Sequence, residues 1–159
     1  MLIDLYLDIK LKHIIRCHSK GESNYKNDYS SPVYCATFLP KEGCEPNTTI
    51  ICTGGAHKIC FINCGKGKAV KLFQASPSES FYCIAASFVP QYLPKKNSTV
   101  SDSIIIAAAG KQKTIKLIHY QRNECFSVLS GHSGTINELE FSPKTPHHLI
   151  SRVQNLTFL

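Results

Sequence analysis

The side chains in this 159-residue chain with the clearest chemical potential are eight cysteines, a Gly131-His132 pair, a His147-His148 pair and the run Gly65-Lys66-Gly67-Lys68. Eight thiols could pair as disulfides or hold a metal. However, Cys17, Cys35, Cys44, Cys52, Cys60, Cys64, Cys83 and Cys125 contain no C-x-x-C spacing, and the residues between Cys60 and Cys64 are too apolar for a zinc knuckle. Several sit inside apolar runs, as in Ile50-Ile51-Cys52 and Tyr82-Cys83-Ile84, where a reduced cysteine behaves as a small buried hydrophobe. No metal or other cofactor is expected, and the thiols point to a reducing intracellular compartment. The Asn-x-Ser/Thr sequons at Asn47, Asn97 and Asn155 are then incidental.

The remaining candidates are weaker. The Gly65–Lys68 run lacks the spacing and the Ser/Thr of a phosphate-binding loop, so it reads as a solvated turn. His147 and His148 follow Pro146 with no other ligand in local spacing and are expected at the surface. His132 has no nucleophile in a recognised motif beside it, so it is expected to be a buried histidine that ties strands together by hydrogen bonds. No catalytic constellation emerges, and neither an enzyme nor a small-molecule site is predicted.

Composition sets the frame for these residues. With 43% hydrophobic residues the chain can build one core, and no window has the run of uncharged apolar residues that a membrane span needs. The N-terminal MLIDLYLDIKLKHIIR carries Asp4 and Asp8 where a signal peptide would be apolar. A net charge of +7, from 18 Lys and Arg against 11 Asp and Glu, permits attraction to DNA, nucleosomes or acidic partners without requiring it.

The positioning elements show themselves as a repeat. Phe38-Leu39-Pro40, Phe88-Val89-Pro90 and Phe141-Ser142-Pro143 recur 50 and then 53 residues apart. Each precedes a β-branched run, a polar turn and an alternating run: Ile50 to Gly55 then Lys58 to Asn63, and Ile104 to Gly110 then Thr114 to His119. Short runs rich in Ile, Val, Phe and Tyr and bounded by Gly, Pro, Asn and Ser are strands, and four of them per unit at a period of about 40–50 residues describe a propeller blade. Pro40, Pro90 and Pro143 cannot donate to a ladder and end strands, while Gly55 and Gly110 are expected to give the following turn its backbone freedom. The apolar Ile104–Ala109 run fits a strand covered on both faces. Ile3, Leu5, Leu7, Ile9 and Leu11 alternate with polar residues or Tyr6, which predicts a strand at the N-terminus. The expected fold is all-β: a partial propeller of about three blades of four-stranded antiparallel sheet, with residues 1–16 as an N-terminal strand, 17–75 and 76–130 as blades, and 131–159 as an incomplete third blade.

Gly131-His132, Phe141-Ser142-Pro143 and Leu149-Ile150-Ser151 together resemble a WD40 repeat, although Ile62-Asn63 and Ile118-His119 stand where the Trp-Asp pair would be. Ile15-Arg16-Cys17-His18-Ser19-Lys20, Thr53-Gly54-Gly55, Ile62-Asn63-Cys64 and Ile106 to Gly110 resemble the WD40 region of the leucine-rich repeat and WD repeat-containing proteins that associate with the origin recognition complex. Gly131-His132 with Ile136-Asn137-Glu138-Leu139, and Ser80-Phe81-Tyr82, also resemble the embryonic ectoderm development subunit of the Polycomb complex.

The resemblance implies a scaffold in the nucleus that reads chromatin: protein partners among origin recognition complex subunits and methylated histone tails, with roles at replication origins, heterochromatin and centromeres. In the Polycomb relative an aromatic cage holds the methylated lysine, and two of its positions fall on Tyr34 and Tyr82; the other cage residues belong to a later blade. Trimethyl-lysine keeps its charge but cannot donate a hydrogen bond, so ring faces select it. Tyr34 and Tyr82 are equally explained as amphipathic residues at the starts of successive blades, with their hydroxyls in water. The resemblance also marks Phe38, Pro40, Phe88, Pro90, Gly131, His132, Phe141 and Pro143 as structural repeat positions. Two other functions stay open: a basic nucleic-acid-binding module, whose affinity would fall steeply with salt, and a truncated product with little activity of its own.

Overall fold

The computed structural model describes residues 12–15, 17–18, 32–89 and 103–153. Within them the chain forms ten strands: β1 Cys35–Phe38, β2 Ile50–Gly55, β3 Lys58–Asn63, β4 Lys68–Gln74, β5 Phe81–Val89, β6 Ser103–Gly110, β7 Ile115–His119, β8 Glu124–Leu129, β9 Ile136–Phe141 and β10 Leu149–Val153. They pair in sequence order as two four-stranded sheets, β1-β2-β3-β4 and β5-β6-β7-β8, with β9-β10 as a two-stranded third, and every pairing is antiparallel. This is a partial propeller of two full blades and the first two strands of a third. Of the predicted N-terminal strand over residues 1–16, residues 12–15 are described and form no strand; its other residues, Pro90, the stretch 91–102 before β6, and Asn155 with Leu156–Leu159 lie outside the described residues.

The side-chain period of a strand decides where the core sits. Along β6, Ile104, Ile106 and Ala108 point into a cluster with Ile50, Cys52, Ile59 and Phe61 of the first blade, while Ala107 and Ala109 point the other way, toward Ile136 and Leu139 of β9. Both faces of β6 are therefore covered, and the predicted double burial of the Ile104–Ala109 run holds: all but Ile105 are buried. The alanines let the third unit approach closely, as expected for interiors packed like organic crystals.

Polar contacts stitch the blades where the core ends. The Lys71 ammonium donates to the carbonyls of Tyr120 (2.9 Å) and Gln121 (3.0 Å) and sits 4.4 Å from the centre of the Tyr120 ring, which meets Phe61 edge-on. On the other seam the Ser87 hydroxyl donates to the Pro146 carbonyl at 2.8 Å.

One sequence expectation needs a different reason. Gly55 and Gly110 end β2 and β6 with ordinary φ, and the left-handed turn residues are Ala56 (φ 44°) and Lys113 (φ 61°). The glycines are needed for space: a Cβ on Gly55 would lie 2.2 Å from the Pro32 carbonyl oxygen, and one on Gly110 would lie 1.9 Å from that of Ser80. In each blade the chain entering the first strand crosses directly over the glycine.

Candidate functional site

Those two crossings position the site. Pro32 and Ser80 each stand two residues before a tyrosine, Tyr34 and Tyr82, at the mouth of β1 and β5. Beyond Tyr34, Cys35 pairs with Gly54; beyond Tyr82, Cys83 pairs with Ala109, so the two tyrosines are equivalent by register. The Tyr34 amide donates to the Gly54 carbonyl at 2.9 Å, which fixes its backbone over the β2–β3 turn.

Tyr82 is placed by a β-bulge. Phe81 pairs with Gly110 and Cys83 with the adjacent Ala109, leaving Tyr82 outside the ladder. A bulge re-aims its side chain, and here it separates Phe81, in the core between the first two blades, from Cys83, in the core toward the third. In β9 the ladder skips Asn137 in the same way, so the third unit presents an amide at the matching position.

The two rings meet with centroids 5.0 Å apart and planes at 89°. Tyr34 is 52% exposed and Tyr82 half-buried, so the corner between them opens to solvent. An edge-to-face aromatic pair is favourable in itself. It also leaves two negative π faces at right angles, a geometry that attracts a cation lacking hydrogen-bond donors.

The other singled-out residues take structural places. His132, partly buried, has its Nε2 2.7 Å from the Ser151 hydroxyl. His18 has its Nε2 3.0 Å from the hydroxyl of Thr53, which the register makes equivalent to Ser151. In the second blade Ala108 takes that place and an ion pair stands nearby: Lys116, paired with Ala108 in the ladder, donates to Glu79 at 2.7 Å. Glu79 is fully buried and also accepts from the amides of Ser80 (3.1 Å) and Gln112 (3.2 Å). Nothing in the sequence pattern singled out Glu79, which sits in a Ser/Pro loop that reads as exposed; the missing hydroxyl at Ala108 was the available hint.

Phe38 is exposed, Phe88 and Phe141 are half-buried, Pro40 borders the loop after β1, and Pro143 and Gly131 are exposed. His147 and His148 lie at the surface, stacked edge-on, and Lys66 and Lys68 are exposed around the β3–β4 turn. The eight cysteines form no disulfide. Burial pushes the thiols of Cys35 and Cys60 up to about 12 and that of Cys83 to about 11, which makes them inert as nucleophiles near neutrality.

Four-stranded antiparallel units at this period, with a histidine ahead of the first strand tied to a hydroxyl in the second, define a WD40-type β-propeller module. The chain belongs to the family described as leucine-rich repeat and WD repeat-containing protein 1, WD domain, whose model matches residues 4–156. It is 31% identical over 144 residues to the human protein of that name, covering 87% of this chain, and 28% identical over 143 residues to the zebrafish (Danio rerio) one. It spans only 21% and 18% of the lengths of those two relatives. The Polycomb protein esc of Drosophila melanogaster is 25% identical over 140 residues, covering 86% of this chain and 31% of that protein.

Among solved structures, a chain of the Chaetomium thermophilum Polycomb repressive complex 2 superposes with a TM-score of 0.61 at 17% identity, over 74% of this chain and 24% of that one. A chain of ctPRC2 in complex with H3K27me3 and H3K27M gives 0.64 at 16% identity, over 86% and 27%. These likenesses establish the fold.

Proposed function

We propose that this chain is a non-enzymatic interaction module of nuclear chromatin, and that the corner between Tyr34 and Tyr82 receives the methylated lysine of a histone tail. The observation that carries the proposal is the perpendicular, solvent-open tyrosine pair at 5.0 Å, built from equivalent positions of successive blades. A methylammonium lodged there faces two ring faces, each contributing about 0.5–1 kcal/mol at an exposed site. Together they strengthen binding by about 5- to 30-fold, and methylated lysine is favoured because an unmodified ammonium gives up hydrogen bonds to water in that corner that a trimethylammonium never makes. A relative named for Polycomb and a fold neighbour solved with H3K27me3 support the class of ligand. From the resemblance to the leucine-rich repeat and WD repeat-containing family we also propose origin recognition complex subunits as protein partners, and with them a place at replication origins and heterochromatin.

The experiment is a pull-down from nuclear extract with the immobilised chain, alongside methylated and unmodified histone peptides. Enrichment of origin recognition subunits and of methylated peptides over a scrambled control is expected. Enrichment of neither would sink the reading, and peptide capture indifferent to methylation would remove the tyrosine corner from it.

A further inference from the structure

A second cluster lies beside the Thr53–Cys60 pair of β2 and β3 in the first blade. The Sγ atoms of Cys17 and Cys60 and a ring nitrogen of His18 all lie within 4.8 Å of one another. Cys60 and His18 are buried and Cys17 is half-buried, which leaves a route from solvent. Cys17 and Cys60 stand 43 residues apart, so a rule based on local cysteine spacing could not see the group.

The His18 Nε2 lies 3.0 Å from Thr53 Oγ1, and the Thr53 hydroxyl is also within 3.4 Å of the Cys60 carbonyl. In the tautomer in which Nε2 donates to Thr53, Nδ1 carries a lone pair, and among the described residues His18 Nδ1 is buried with no hydrogen-bond partner. A buried acceptor left unsatisfied is costly. An imidazole whose other nitrogen donates to an oriented oxygen is also the usual arrangement of a metal-bound histidine. Cys60 meanwhile directs its thiol at the Cys17 carbonyl, 3.4 Å away.

We propose that Cys17, His18 and Cys60 form a binding site for a zinc-like transition-metal ion. Two thiolates and one imidazole suit Zn2+, with the fourth tetrahedral position left to water. On binding, each thiol releases its proton to solvent, two per ion, while the imidazole is already neutral. The ion fastens the segment containing Cys17 and His18 onto β2 and β3, the strands that hold Thr53 and Cys60. This role is independent of the tyrosine corner.

The test is titration of the reduced, chelator-stripped chain with Co2+, then displacement with Zn2+. The expected result is one Co2+ per chain with strong thiolate-to-cobalt charge-transfer absorption, release of two protons, and loss of the band on adding Zn2+. Cys17→Ser and Cys60→Ala should each abolish the band, whereas Cys125→Ser leaves it unchanged. Thr53→Val, which keeps all three ligands but removes the oriented partner of His18, should weaken binding by about 10- to 100-fold. Far-UV circular dichroism reports folding in each variant; if the buried Cys60→Ala unfolds, the half-exposed Cys17→Ser carries the test. No charge-transfer band in the unsubstituted chain, or a band that survives Cys17→Ser, would overturn the proposal.

Discussion

Gly110→Ala asks whether the crossing over the β6 end, rather than turn flexibility, holds the second blade together. The new Cβ would lie 1.9 Å from the Ser80 carbonyl oxygen and 2.9 Å from both the Ser80 carbonyl carbon and the Tyr82 nitrogen. All three neighbours are backbone, so relief requires the segment entering β5 to move by about 1.5 Å before contact reaches its ordinary range near 3.4 Å. That segment is pinned on both sides: Lys111 donates to the Ser80 carbonyl at 3.0 Å, and Phe81 donates to the Ala56 carbonyl of the first blade at 2.8 Å. Overpacking of this kind costs about 1–3 kcal/mol in side-chain cores, and the rigid surroundings place this case near the upper limit. For a chain of this size about 3 kcal/mol lowers Tm by roughly 6–12 °C. Gly65→Ala is the matched control: its Cβ meets only Asn63 Oδ1, at 3.4 Å, and a change within about 0.5 kcal/mol is expected. Thermal unfolding followed by circular dichroism reads both. A Gly110→Ala melting point within 2 °C of the parent would refute the steric account.

Glu79→Ala strands the Lys116 ammonium and two amides, and should cost about 2–4 kcal/mol, a little below the usual range for a broken buried pair because Lys116 keeps 18% side-chain exposure. Urea unfolding measures it, and a cost under 1 kcal/mol would contradict the ion pair's role. The Glu138–Arg152 pair is exposed on both sides, so Arg152→Ala should shift stability by less than about 1 kcal/mol in the same assay. Burial holds the pKa of His18 below its ordinary value; it does the same for His119, helped by the positive charge of Arg122 and opposed by Glu124. The unfolded chain therefore binds protons more readily, and stability should fall as pH drops below about 6.5, with no comparable loss between pH 7 and 8. Replacing His119 by Asn should flatten part of that slope in a Tm-against-pH series; an unchanged slope would show that His119 does not carry it.

Much of the fold could be read from the residues because propeller blades write their period into the chain. The Phe-x-Pro anchors and the Ile104–Ala109 run exposed both the repeat and the doubly covered strand. Contacts between distant residues could not be read in this way. The bulge that turns Tyr82 out of its ladder is a matter of register, which depends on pairing with Gly110 and Ala109 rather than on residue type. Glu79 draws its partners from residues 112 and 116, and Cys17 meets Cys60 across the first blade; no local spacing rule reaches that far. Gly55 and Gly110 illustrate a subtler gap: the residue type was read correctly as special, but the reason is the approach of another backbone segment, which only the packed sheets reveal.

The most direct measurement of the central claim is a titration of the chain, labelled on its tyrosine rings, with a trimethyl-lysine histone H3 peptide and its unmodified counterpart, read by nuclear magnetic resonance. The account predicts that the Tyr34 and Tyr82 ring signals move together, that the trimethylated peptide binds more tightly than the unmodified one, and that Tyr34→Ala weakens its binding by about 2- to 5-fold and removes the preference. Equal binding of the two peptides, or a preference untouched by Tyr34→Ala, would contradict it.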